Sequence, residues 1–217
     1  TTLSKSAPLL DLATLSKCTF LLLLLLPLRV TLFFGFSPRE HTTDVRSNDR
    51  ETRFNAVQQI RKHLSKESNP PAKEIVDAGI VPILVQMIHR MDDPKLQFEA
   101  AWALTNITST EYTRAVVEHN AIAPLVHLLR ASKDADVREQ VVWCLGNIAG
   151  DGAKFRDLVL NTPNAGHNLL LNLAHPANLS MLRNATWTLS NMCRGKPRAN
   201  IDVVKHFIPA VRKLIQN

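Results

Sequence analysis

The chain has 217 residues, 45% of them hydrophobic and 21% charged, with a formal net charge of +7. That apolar fraction is enough to build a core and excludes disorder throughout. The excess Lys and Arg are scattered among acidic residues with no long cationic run, so charge does not point to nucleic acid or an anionic membrane as a partner.

Residues 1–48 differ in character from the rest of the chain. Thr19 to Phe36 is nearly all apolar, with an unbroken Leu21–Leu26 run interrupted afterwards by Pro27 and Arg29. It falls short of the ~20 residues of a spanning helix, and a central Arg costs roughly 2.5–3.5 kcal/mol in a bilayer, which disfavours an anchor. Lys17 ahead of the run suits a signal peptide, but no Ala-x-Ala-like cleavage site comes after it. Glycosylation sequons at Asn106, Asn178 and Asn184 fit secretion, yet Asn106 lies inside a strong helical pattern where a glycan would obstruct packing. Residues 1–48 are therefore expected to be an atypical hydrophobic leader outside a folded domain of residues 49–217, with a membrane or secretory location as the alternative.

From Asp49 the pattern is helical. Arg50 to Lys66 carries Phe54, Val57, Ile60 and Leu64 as one apolar stripe, and Asn69-Pro70-Pro71 stops it. Three units of like layout come next, each a short helix, a second helix and a longer third. The first unit predicts helices over Ala72–Ala78, Val81–His89 and Pro94–Thr108. The second predicts Glu111–His119, Ala121–Arg130 and Asp134–Ala149. Pro82 and Pro124 sit near the starts of the two second helices, where a missing N–H does no harm, and lie 42 residues apart. The third unit predicts Ala153–Leu160, Asn168–Ala174 and Leu179–Cys193. Arg198 to Gln216 then supplies two more helices, so the array is expected to stop in mid-repeat with an apolar face needing a partner.

Cys18, Cys144 and Cys193 show no metal or redox spacing and are expected to be buried free thiols. No nucleophile–base pair, Gly-rich phosphate loop or metal cluster is legible, so no enzyme, cofactor or metal is expected.

Each third helix carries the same pair: Trp102-Ala-Leu-Thr-Asn106, Trp143-Cys-Leu-Gly-Asn147 and Trp187-Thr-Leu-Ser-Asn191, 41 and then 44 residues apart. Positions i and i+4 share a helix face, and a period in the low forties belongs to helical solenoids that bury one face and line a groove with another. A carboxamide matches the C=O and N–H of an extended main chain, while adjacent indoles form slots for the stem and charge of a Lys or Arg. Buried aromatic core is the competing reading of the same Trp residues.

Phe98-Glu-Ala-Ala-Trp-Ala-Leu-Thr-Asn106-Ile, Glu139-Gln-Val-Val-Trp-Cys-Leu-Gly-Asn-Ile-Ala-Gly-Asp-Gly152 and Arg183-Asn-Ala-Thr-Trp-Thr-Leu-Ser-Asn-Met-Cys-Arg194 resemble the armadillo repeats of the importin alpha family, over roughly residues 50–217. The resemblance implies an all-α, right-handed superhelical armadillo solenoid. It also implies a nuclear import adaptor that shuttles between cytoplasm and nucleus and binds basic nuclear localisation signals in extended form. The implied peptide contacts are Trp102, Asn106, Gln140, Trp143, Asn147, Asp151, Asn184, Trp187 and Asn191, with Arg194 bordering the groove and Asp151 pairing a lysine ammonium. Asp151 capping the helix near Ala153 is the structural alternative, and Glu99, Asp136 and Glu139 are read either as groove potential or as a solvated face. Another armadillo scaffold, in adhesion or signalling, is the alternative function.

The chain also departs from the family pattern. The linker after Asn106 is short, leaving the small polar contact to Ser109 or Thr110, and Asn168 stands where a proline is expected in a third unit with an unusual Asn161–His167 turn. Residues 1–48 hold nothing like the basic segment through which the family binds importin beta, so recovery of importin beta is not expected; neither direct nucleic-acid nor membrane binding is expected.

Overall fold

A computed structural model describes residues 42–216. The expectations placed on residues 1–41, including most of the leader and Cys18, lie outside them. All regular structure among the described residues is helical, with no strand. A helical turn at 42–44 leads into α1 (Arg50–Leu64), α2 (Ala72–Asp77), α3 (Val81–Met87), α4 (Pro94–Thr108), α5 (Thr113–Glu118), α6 (Ile122–Ala131), α7 (Ala135–Gly150), α8 (Ala153–Asn161), α9 (Ala165–Ala174), α10 (Leu179–Cys193), α11 (Ile201–Val204) and, after a 3-10 turn at Lys205–Phe207, α12 (Ile208–Gln216).

The long helices begin where short polar side chains satisfy their free N–H groups. Asp49 accepts from Thr52 N at 2.7 Å, Asp93 from Leu96 N, Asp134 from Asp136 N and Val137 N, and Asn178 from Met181 N. Helix α1 closes two residues before the expected Lys66, because the Ser65 hydroxyl and amide both bond the Arg61 carbonyl. Helix α9 starts at Ala165, three residues before the expected Asn168: Asn164 takes a left-handed φ of 65°, which turns the chain directly into a helix after Pro163.

The packed region reaches beyond the expected boundary at residue 49. Val45 is 1% exposed within the core, and the Arg53 guanidinium donates to Ser47 O. Beyond that point the third helices carry the architecture: α1 packs on α4, α4 on α7 and α7 on α10, with first and second helices bracing each from behind. Leu96, Ala100, Leu104 and Ile107 of α4 and Val137, Val141, Leu145 and Ile148 of α7 are all fully buried where the two helices pack. Each fully buried Leu, Ile or Val there contributes about 1.5–3 kcal/mol of desolvation.

Polar cross-links accompany this layer. Asn168, the residue in the proline position, is 5% exposed and donates to Val126 O at 3.0 Å, while Asn172 donates to Leu129 O at 2.9 Å, so both tie α9 to the backbone of α6. Arg156, 1% exposed, donates to Arg194 O and Pro197 O, each at 2.8 Å, and so fixes the loop after α10. Of the expected buried thiols Cys144 is buried and Cys193, the last residue of α10, is exposed. Ile201, Ile208, Val211 and Ile215 on α11 and α12 remain exposed.

Candidate peptide-binding groove

Helices α4, α7 and α10 each bring one Trp and one Asn to the same side of the stack. Trp143 and Trp187 are 42% and 41% exposed, unusual for side chains that ordinarily bury most of their area. Trp102 is half-buried: Phe98 meets it edge-on at 5.5 Å, and the Arg61 guanidinium lies 4.3 Å from its ring centre.

The carboxamides, expected to bond an extended peptide main chain, already donate within the protein. Asn106 Nδ2 donates to Ser65 Oγ at 2.9 Å, Asn147 Nδ2 to Thr105 O at 3.0 Å, and Asn191 Nδ2 to Gly146 O at 2.9 Å. Each Asn thus holds its helix to the third helix of the preceding unit. The physical reason is close stacking, which brings a carbonyl near the end of one third helix, or for Asn106 the Ser65 hydroxyl, within reach of the next helix's amide. Their Oδ1 atoms accept no hydrogen bond among the described residues. Asn191 is only 1% exposed.

Around this ladder, Gln140 is half-buried with an unpartnered Oε1, and its carbonyl accepts from Thr105 Oγ1 at 3.1 Å. Asn184 donates to Glu139 Oε1 at 3.1 Å, and the same carboxylate receives Asn178 and Ser180. Glu139 is therefore a connector between α7 and α10, and neither a free charge nor a merely solvated one. Glu99 is buried and receives Arg61 Nε at 2.6 Å, Arg61 Nη2 at 3.1 Å and Gln58 Nε2, so its charge is neutralised inside the protein. Asp136 is exposed in the first turn of α7. Ser109 Oγ and Thr110 Oγ1 turn back to the carbonyls of Asn106 and Ile107.

Asp151 stands apart. Its amide ends α7 by donating to Asn147 O and Ile148 O, but its exposed carboxylate has no hydrogen-bond or ion-pair partner among the described residues. The capping alternative fails, because the N-cap of α8 is Gly152 at φ 132°, with no side-chain cap. Arg194 is exposed, with its guanidinium near Gly150.

Several residues that shape the ladder were not singled out from the sequence. A Cβ on Gly146 would collide with Thr188 Oγ1 and the Trp187 indole, so the absence of a side chain lets α10 close onto α7. Thr188 Oγ1 donates to Val142 O at 2.9 Å across the same interface. The signal was the small residue preceding each Asn: Thr105, Gly146 and Ser190. A separate crevice of about 640 Å³, lined by Val126, His127, Arg130, His167 and Asn168, belongs to second helices and lies away from the Trp residues.

Residues 68–109 and 109–150 each match the armadillo/beta-catenin-like repeat. The chain is 54% identical over 173 residues to importin subunit alpha-2 of Arabidopsis thaliana, covering 79% of this chain and 32% of that protein. It is 50% identical over 175 residues to importin subunit alpha-1b of Oryza sativa subsp. japonica, covering 80% and 32%. It is 37% identical over 190 residues to the probable importin subunit alpha-A of Dictyostelium discoideum, covering 80% and 34%. The chain thus spans about a third of the length of these curated relatives. Among solved structures, a designed armadillo repeat protein in complex with the peptide (KR)4 superposes with a TM-score of 0.72 at 24% identity, covering 80% of this chain and 72% of the other, a likeness of fold alone.

Proposed function

Because the chain belongs to the importin alpha family of armadillo-repeat proteins, we propose that it acts as a nuclear import adaptor. Its Trp and Asn ladder binds Lys/Arg-rich nuclear localisation signals in extended form, and it shuttles between cytoplasm and nucleus with importin beta as the family's transport partner. The observation that carries this reading is the pair of indoles at 42% and 41% exposure together with an exposed carboxylate, Asp151, at the end of the helix that carries Trp143, which no cation of the protein neutralises among the described residues.

The chemistry rests on spacing. Third helices stack about 8–10 Å apart and an extended peptide advances about 3.3 Å per residue, so each unit takes two to three peptide residues. The slots between Trp102 and Trp143, and between Trp143 and Trp187, receive basic side chains: the methylene stems pack on the indoles and each cation meets a ring face, for about 0.5–2 kcal/mol per site. Asp151 then selects an ammonium at one position. The Oδ1 atoms of Asn106 and Asn147 accept peptide N–H groups irrespective of sequence. No step of this function is catalytic.

A fluorescent Lys-rich peptide and an Ala-substituted control, titrated against the chain and its Trp143→Ala and Asp151→Lys variants, test the reading. The expected result is selective binding of the basic peptide with about a five- to thirtyfold loss in each variant, since one slot or one ion pair is worth about 1–2 kcal/mol. Equal binding of both peptides, or unchanged affinity in both variants, rejects it in favour of a scaffold with another ligand.

A further inference from the structure

The ladder has a rung that is not a tryptophan. Counting back 41 residues from Trp102, the interval that separates Trp102 from Trp143, reaches Arg61; the same interval from Asn106 reaches Ser65. Arg61 lies on α1, the third helix that packs on α4, and Ser65, four residues on, is the residue that closes it. Each meets its counterpart directly: the Arg61 guanidinium lies 4.3 Å from the Trp102 ring centre, and Ser65 Oγ receives Asn106 Nδ2 at 2.9 Å.

Arg61 is held there firmly. Its Nε and Nη2 donate to the two oxygens of Glu99 at 2.6 and 3.1 Å, and the paired side chains are 14% and 6% exposed. A guanidinium on an indole face with its fork on a carboxylate is the geometry expected of a ligand arginine in an aromatic slot. In this chain the cation is supplied internally, from the helix that precedes Trp102's own in the stack.

We infer that Arg61 is a built-in occupant of the ladder's first slot and acts as a register stop: a basic peptide places its cationic side chains in the Trp102–Trp143 and Trp143–Trp187 slots, and the peptide position beyond Trp102 gains no affinity from Lys or Arg. The inference rests on the basic-peptide reading of the groove and deepens it into a rule for where the basic run ends. Three observations converge on it: the repeat register, the stacked cation and the buried carboxylate that fixes it. With one Trp102 face covered by Arg61 and the Glu99 carboxylate already paired to it, a further lysine finds that indole face and that carboxylate both taken.

The test compares the chain with Arg61→Ala, which vacates the slot. Peptides carrying lysines spaced for two slots are extended at either end by Lys or by Ala. For the native chain, Lys and Ala at the end lying beyond Trp102 bind within about twofold of each other, whereas Arg61→Ala prefers Lys there by at least about fivefold, the increment of one restored slot. A probe independent of cargo accompanies it: n-propylguanidinium shifts the Trp102 indole N–H resonance, assigned by its loss in Trp102→Phe, in the variant and not in the native chain. Because Arg61→Ala strands a buried carboxylate, the Arg61→Ala, Glu99→Gln double variant is measured alongside, and keeps the probe response if the single variant fails to fold. Equal probe response in native and variant chains, or no Lys preference gained at either end, overturns the inference. Failure of every peptide to bind the native chain removes the cargo reading instead, and the probe still decides whether Arg61 fills the slot.

Discussion

Asn191 and Asp151, both read from the sequence as groove residues, do opposite work in the folded chain. Asn191 is buried and its amide secures the Gly146 carbonyl, whereas Asp151 is exposed and unpartnered among the described residues. Asn191→Ala is expected to lower stability by about 1–3 kcal/mol, the cost of a buried hydrogen bond left half-made. Asp151→Asn should leave stability within about 0.5 kcal/mol and weaken only the Lys-peptide complex. Urea unfolding of both variants, with titrations of the same peptide, separates the two roles. Cys144 adds a pH signature: burial pushes its thiol from 9.0 up to about 12. The sign is set by which state loses its proton first. Above pH 9 the unfolded chain ionises this thiol and the folded chain does not, so the stability it contributes is intact below about pH 9 and is lost as pH rises toward 12. Cys144→Ala should flatten that part of the stability profile, read as the difference between native and variant unfolding free energies from pH 8 to 11.

At the scale of the helices, the α7–α10 contact depends on Gly146. A methyl there meets Thr188 Oγ1 and the Trp187 ring, and neither yields easily, because Thr188 is buried and bonded to Val142 O. Gly146→Ala is expected to force the helices apart, costing about 1–3 kcal/mol by overpacking and tilting Trp187. Peptide affinity should therefore fall although position 146 touches no ligand, a result that a calorimetric melt and a peptide titration would register together. The same interface shows what was legible in the sequence. The repeated helical layout placed α4 and α10 at their observed ends, and purely local hydrogen bonds to Asp93 and Asn178 begin those helices. The start of α9 was misplaced by three residues, since it depends on Asn164 adopting a left-handed backbone that no apolar pattern announces. Trp exposure was legible as a repeated pair, but the direction of the Asn amides was not: it is set by carbonyls and a hydroxyl 41 to 45 residues away, and such partners exist only once the units stack. The Arg61 rung was hidden for the same reason, as an Arg on a polar helix face carries no local mark of the indole it covers.

For the described region as a whole, stability is shared out along one dimension. Each third helix is locked to its predecessor by an Asn amide, and the α4–α7 and α7–α10 pairs add Thr hydroxyls to opposing carbonyls, while few bonds skip a unit. In such an array each unit's stability is its own plus that of the interfaces on either side. Weakening one interface therefore uncouples the segments it joined rather than lowering the whole uniformly. Gly146→Val, a larger insult than Gly146→Ala at the same contact, should let α8 to α10 open separately from α1 to α6. Native-state hydrogen exchange by mass spectrometry checks this: amides of 153–193 should lose protection in the variant while those of 94–108 keep theirs, and two melting transitions should replace one. A uniform loss of protection across both segments would mean that the units fold as a single cooperative block, and that the groove's rungs rise and fall together.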